Sequence, residues 1–281
     1  MKILSFGEIL FDINGDNACI GGASLNFSAH AVRAGAEVSI LSAVGNDTLG
    51  KTAIEYVKNY GISTDLISVS TEYGTGLCNV TLDKNKVPRY DLVTDVAYDH
   101  IPVPDTENKN FDVLYFGTLA LRSQENADTL KKVIAQNTFK EIFVDVNIRP
   151  PHYSEESVLF ALKNATILKV SNEEISFIGD ILINNGVEVF TILQTIMLKY
   201  NNIKLIILTC GENGAVAYDT VNGGVFRCDA VGTKVVSTVG AGDSFAATFL
   251  VNYLSGNSIK TSLKKAAQVS AFVIAHKEAI P

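Results

Sequence analysis

The sequence predicts an α/β protein built on a doubly wound, mostly parallel sheet flanked by helices, with a small β-sheet lid. Three observations carry that reading. Short apolar, β-rich runs recur along the chain. Amphipathic stretches of helical length separate them, and such alternation argues for parallel strands joined by crossover helices. The strand runs are continuously apolar rather than alternating, which fits a sheet covered on both faces.

The elements follow in order. ILSFGEI lies near the start, then VSILSAV at 38–44, VLYFG at 113–117, IFVDV at 142–146, TILKV at 166–170 and KLIILTC at 204–210. Between them SLNFSAHAVRAG (24–35), TAIEYVKNYG (52–61) and NADTLKKVIAQN (126–137) have helical spacing. One region breaks the rhythm. From Thr75 to Tyr98, LCNVTL and RYDLV flank the polar turn DKNKVP with no helix between them, which predicts a hairpin. LFDINGDNACIGG, after Glu8, is also extended and turn-rich. These two segments, approximately 10–23 and 73–98, are expected to form the lid on a single domain spanning residues 1–281. PDTENKN (104–110) is the best loop or boundary candidate.

Composition narrows the function classes. Of 281 residues, 47% are hydrophobic and 19% charged, enough for a large core. The net charge of −7 disfavours a nucleic-acid partner, because an acidic surface repels phosphate backbones. An anion can still be bound locally by backbone N–H groups and helix ends. Cys19, Cys78, Cys210 and Cys228 are widely spaced and form no C-x-x-C pair, so buried free thiols are expected. The N-terminus, MKILSFGEILFDI, does not read as a signal peptide, since Glu8 and Asp12 interrupt its apolar run. No stretch reaches the length of a membrane span. A soluble, cytoplasmic protein is expected.

Two glycine-rich stretches compete as a phosphate site. GNDTLGKT, Gly45 to Thr52, matches the P-loop pattern G-x-x-x-x-G-K-[ST] between an apolar run and a helical one. Asp47, however, would place a negative charge inside the phosphate cradle, and although Asp145 in IFVDV could be claimed as a Walker B acid, any apolar strand ending in Asp would serve. The second stretch, STVGAGDSFAATFLVNYLSG at 237–256, sets Gly240, Ala241 and Gly242 before a strong helical pattern. Small residues there turn tightly, aim N–H groups at an anion and add the positive helix end. Asp243 in the first turn has two open roles: an N-cap, or a base that takes a proton from an attacking hydroxyl.

At these residues the sequence resembles the ribokinase-like (PfkB-type) carbohydrate kinases. The T-x-G-A-G-D stretch is similar to that family's C-terminal signature, and GGASLNFSAHAVRAG followed by VGND..G to its N-terminal one. Further matches run along nearly the whole chain: GEILFDI, FGTLALR, DVNIRP, ILKVSNEE and ILTCGENGA. The wording of GEILFDI, DVNIRP and ILKVSNEEI looks most like bacterial fructokinases. The resemblance implies transfer of the γ-phosphoryl group of ATP to a sugar hydroxyl, with Mg2+, and a monovalent cation, K+, beside the C-terminal signature. It implies Asp243 as catalytic base and Gly240, Ala241 and Gly242 as the anion hole. It implies Glu174 as the residue that organises magnesium through water, and Thr209, Gly211 and Gly214 as the nucleotide-side loop. Asp12, Gly21, Gly22 and Asn26 are implied as sugar ligands, and Asn147 and Arg149 as residues near sugar and phosphate.

The chemistry of these residues agrees with such roles. Short carboxylates and amides accept from and donate to several hydroxyls, as Asp12 and Asn26 can. Phosphoryl transfer requires mainly positioning and charge neutralisation, and Arg149 offers a fork of donors. Plainer roles are open for each: a turn cap for Asp12, a helix cap for Asn26, a solvated helix start for Glu173 and Glu174, a turn for Gly21-Gly22, a surface loop for Arg149. His30, His100, His152 and His276 show no pairing with a nucleophile or a metal cluster. The sequence departs from the family pattern at Ser237, where an aspartate usually stands, and at Ser171, where an asparagine usually stands. Another sugar, such as ribose, or a sugar acid such as 2-keto-3-deoxygluconate, met by Arg89 or Arg149, is the alternative acceptor. A sugar- or nucleotide-binding regulator is the alternative class. An exposed two-stranded lid needs cover, so a homodimer through the lid is expected.

Overall fold

The computed structural model describes residues 1–281 except 16, 83–87, 107–108 and 184–185. The polar turn of the hairpin therefore lies outside the described residues, as does the side chain of Arg89. The described strands are β1 (Lys2–Phe6), β2 (Leu10–Asn14), β3 (Asn17–Gly21), β4 (Glu37–Gly45), β5 (Ile67–Ser70), β6 (Gly76–Leu82) and β7 (Pro88–Leu92). β8 (Val113–Phe116), β9 (Glu141–Asp145), β10 (Ile167–Ser171), β11 (Leu205–Thr209), β12 (Ala215–Asp219) and β13 (Gly224–Cys228) complete them. The helices are α1 (Ala23–Arg33), α2 (Thr48–Asn59), α3 (Gln124–Gln136), α4 (Glu155–Asn164), α5 (Ile175–Leu182), α6 (Val189–Lys199), α7 (Ala241–Leu254) and α8 (Ile259–Ile274).

Among the described residues the main sheet has the order β13-β12-β11-β10-β9-β8-β1-β4-β5. It is parallel from β5 to β11. β12 and β13 add antiparallel, because the short loop after Thr209 cannot make the crossover that a parallel neighbour requires. That antiparallel edge was not anticipated from the sequence.

Successive strand residues face opposite layers. Ile3, Val113, Tyr115, Phe143 and Ile167 join the layer of α1, α2, α7 and α8. Leu4, Leu114, Phe116, Val144 and Leu168 join that of α3, α4, α5 and α6. Both faces are covered, which is why the strands read as unbroken apolar runs. A stacked Phe27–Tyr115 pair, centroids 3.5 Å apart, locks α1 onto the sheet.

The second sheet, β3-β2-β6-β7, contains both segments expected to form a small sheet at the edge of the domain. β2 runs antiparallel to β3 and parallel to β6, and β6 forms the hairpin with β7. The chain winds from β1 to β4 in one direction and from β8 onward in the other, so the order reverses at β1. Ligands of open α/β sheets bind beyond the carboxyl ends of the strands at such a reversal.

Candidate active site

The carboxyl end of β1 meets the amino end of α1, where Ser24 Oγ donates to Phe6 O at 3.1 Å, and β10 meets the amino end of α7, where Lys169 lies against Gly242. α7 starts where Gly240 adopts a left-handed conformation, φ 79°, as its N-cap. A side chain there would strike Ala279, whose atoms lie 2.8–2.9 Å from the Cβ position. The N-cap role that Asp243 could have played thus belongs to Gly240. The Asp243 carboxylate instead accepts a hydrogen bond from Asn26 Nδ2 at 2.8 Å, across 217 residues of chain. Asp243 is 9% exposed. Burial raises its pKa above the usual carboxylate range, opposed by the Asn26 bond and by the charges of Lys169 and Arg149. Asn26 Oδ1 is buried with no partner among the described residues, an acceptor left over for a hydroxyl.

Of the anion-hole residues, Ala241 turns its N–H back to Thr238 O at 3.2 Å. The N–H groups of Gly242 and Asp243 belong to the first turn of α7, where no intrahelical acceptor exists. Ser237, the departure from the family pattern, accepts the Val239 N–H on its hydroxyl at 3.2 Å and so holds the loop into the helix.

The sugar-side candidates surround the amino end of α1. Gly22 is the N-cap of α1 at φ 110°, and any side chain there would collide with Glu8 O. A Cβ on Gly21 would sit 3.2 Å from Asp12 Oδ2, so the backbone is drawn against that carboxylate. Asp12, in β2, lies between Cys19 of β3 and Cys78 of β6. Burial raises the Asp12 pKa, while a hydrogen bond with Cys78 and the charge of Arg149 lower it. Burial together with that carboxylate pushes the Cys78 thiol up to about 12, so it stays protonated and can donate. Asn147 is buried and held at φ 45°, the left-handed region that asparagine tolerates. Arg149 is exposed, and its charge acts on both Asp12 and Asp243, linking the small sheet to α7.

Glu174 receives two backbone N–H groups, Ile148 on Oε1 at 2.9 Å and Ser171 on Oε2 at 2.8 Å. Ser171 Oγ in turn accepts the Glu174 N–H at 3.2 Å. The serine thus holds the turn locally, and Glu174 fastens the β9 loop to the β10 loop. No cluster of three acidic, histidine or cysteine groups suited to a metal occurs among the described residues. Each Glu174 oxygen keeps a lone pair, so the site fits a hydrated Mg2+ met through water rather than direct ligation. Thr209, Gly211 and Gly214 stand one strand further along, joined to this turn by Asn172 N–H to Thr209 O at 2.8 Å. Gly211 and Gly214 both have positive φ, 54° and 81°.

GNDTLGKT has no open cradle. Asp47 caps α2, accepting Gly50 N–H at 2.7 Å, and also takes the Thr75 N–H at 2.8 Å and hydroxyl at 2.7 Å. A carboxylate occupies the position a phosphate would need, and Lys51 is exposed. Three of the four histidines are held by other groups: His30 bonds Ala279 O at 2.8 Å, His100 bridges Asp95 and Glu125, and His276 bonds Phe272 O at 2.8 Å.

Sequence reasoning missed a buried ion pair behind α7. Lys169 Nζ donates to both oxygens of Asp145 at 2.8 Å. A lysine inside the apolar run TILKV was the available signal. Glu8, buried at 3% exposure and accepting Ala23 N–H at 2.8 Å, was also missed.

A family model described as pfkB family carbohydrate kinase matches residues 13–281. Probable fructokinase-5 of Arabidopsis thaliana is 26% identical over 293 residues, covering 96% of this chain and 88% of that protein. Among solved structures, the fructokinase of Xylella fastidiosa with bound ATP superposes at a TM-score of 0.86 with 20% identity, covering 99% of this chain and 94% of that one. The uncharacterized sugar kinase PH1459 of Pyrococcus horikoshii, in complex with ATP, does so at 0.80 with 25% identity and the same coverage. The matched span, nearly the whole chain, agrees with a site assembled from both ends of it: the chain belongs to the pfkB family of carbohydrate kinases.

Proposed function

We propose that this sugar kinase transfers the γ-phosphoryl group of ATP to a hydroxyl of fructose, with Asp243 as the base. The observation that carries the reading is the buried Asp243 carboxylate in the first turn of α7, hydrogen-bonded by Asn26 and charge-linked through Arg149 to Asp12. Asp12, the Asn26 acceptor and the Gly21-Gly22 backbone hold the sugar so that one hydroxyl faces Asp243. Asp243 takes its proton as the oxygen attacks phosphorus, and the bond from phosphorus to the ADP oxygen breaks. A raised pKa suits that transfer, because the carboxylate is then a stronger base. The first-turn N–H groups of α7 and Arg149 receive the negative charge carried by the transferring group. Mg2+, when bound, neutralises phosphate charge, and Glu174 would hold it through water.

The small sheet acts as a lid that excludes water, which competes with the sugar as acceptor. Its β3 strand is largely exposed and Tyr90 on β7 is 54% exposed, which supports a dimer through the lid. Fructose as acceptor is supported by relatives named fructokinase and by a neighbouring structure, a double mutant of the Vibrio cholerae enzyme, in a fructose, ADP and potassium ion bound form. A potassium ion beside the α7 loop is the matching proposal here, with Ser237 in place of the usual aspartate. The exposed Arg149 favours a sugar acid as the second reading. ADP release measured over fructose, ribose, 2-keto-3-deoxygluconate and 5-dehydro-2-deoxygluconate decides between them. Fructose should give the highest kcat/KM. Release with a sugar acid alone would replace the assignment, and binding without ADP release from any acceptor would favour a regulator.

A further inference from the structure

A lysine in the middle of an apolar strand has to be matched by a partner. Lys169 is 4% exposed, and its register neighbour on β9 is Asp145, itself 1% exposed. Both ends of the carboxylate accept from the ammonium at 2.8 Å. Ile167 faces the α7 layer and Leu168 the opposite one, so Lys169 faces α7. There its Nζ lies 3.4 Å from where a Cβ on Gly242 would sit. The ammonium is therefore lodged beneath the residue preceding Asp243. Glu174 acts on it from the same strand's end. A buried ion pair is weak evidence of a stabilising role, since apolar side chains of equal volume often serve as well. Its location under the first turn of α7 calls for another explanation.

We propose that Lys169 is a positioning residue for phosphoryl transfer: pinned by Asp145, its ammonium supports Gly242 from below and supplies fixed positive charge to Asp243 and to the anion received at the α7 N-terminus. The proposal rests on the reading of Asp243 and the Gly240–Gly242 loop as the transfer site. Asp243 is faced by Lys169 from β10, by Arg149 from the loop after β9, by His30 from α1, and by Glu8 and Asp145 with the opposite sign. Arg149 is exposed, and burial lowers the pKa of His30 and keeps it neutral. Lys169 is thus the buried, fixed cation of this group. Without it Asp243 holds its proton more tightly, and the pH below which turnover fails moves upward.

The test uses the neutral pair K169M/D145N, because K169M alone strands a buried carboxylate. K169Q/D145N, whose amides keep a hydrogen bond between the strands, serves as the second variant. Both should melt close to the wild type and keep KM for sugar and ATP within about threefold. Their kcat should fall about 10²-fold, the scale of one lost electrostatic contact to the transition state. The acid limb of the kcat–pH profile should shift upward, by less than loss of the ammonium alone would give, because the opposing Asp145 charge is removed with it. Wild-type kcat with an unshifted limb overturns the proposal, as does a raised KM at unchanged kcat. Failure of both neutral pairs to fold also overturns it, because the ion pair is then a structural one. D243N measured alongside separates the two claims. If D243N turns over normally, the transfer-site reading fails; if D243N is inactive while the neutral pairs are normal, the role of Lys169 alone fails.

Discussion

Asp243 has the two properties a base in this reaction needs, a raised proton affinity and a partner that orients it. The same burial sets a cost in stability, and its sign can be worked out. The folded pKa is raised and the unfolded one is near 3.9, so ionisation penalises folding as pH rises from the unfolded value through the folded one. Asp243→Asn should therefore raise Tm at pH 7, with a gain that disappears below about pH 4, where both states carry the proton. Calorimetry at the two pH values checks this. Asn26→Ala removes the bond that lowers the Asp243 pKa. Its acid limb should move to higher pH and its kcat should fall about tenfold or more, read from the pH–rate profile. Most of these residues were legible in the sequence, because small residues, acids and amides sit in two recognisable stretches. What joins them was not. No local pattern shows that Asn26 reaches Asp243, or that Gly240 and not Asp243 caps α7. Lys169 was missed because its carboxylate partner sits on a neighbouring strand, and only sheet register pairs the two.

At the level of elements, GNDTLGKT shows how a pattern can fit and still mislead. Strand, turn and helix follow one another as a P-loop requires, yet the turn is filled by its own aspartate. Asp47 holds α2 and the root of the small sheet at Thr75 together. Asp47→Ala should cost about 1–3 kcal/mol, from a lost cap and the stranded Thr75 N–H, measured by urea unfolding. Lys51→Ala should leave stability within about 0.5 kcal/mol and turnover unchanged. Loss of turnover there would revive the P-loop. The first-turn boundary of α2 was misplaced for the same reason: the helical run was read from Thr52, but the cap starts the helix at Thr48. The β12–β13 edge escaped prediction because a short antiparallel meander and a parallel strand look alike in apolar content.

At the scale of the whole molecule, the described residues form a nine-stranded sheet and a separate four-stranded one. The alternation of apolar runs and helical stretches made the large sheet legible, and the missing helix between LCNVTL and RYDLV made the small one so. The proposed closure and association of the small sheet rest on the exposure of β3 and of Tyr90 on β7. Gel filtration at micromolar concentration should show twice the 30.2 kDa mass of one chain. A monomer would count against the lid dimer. No helix among the described residues is long and apolar enough to cross a membrane. The central claim is that a carboxylate, and no lysine of a P-loop, drives transfer to the sugar. Turnover of Asp243→Asn, measured as ADP release at saturating ATP and fructose, tests it most directly. Binding of both substrates should be retained and kcat should fall roughly 10²–10⁴-fold; turnover near that of the unaltered protein would contradict a carboxylate base.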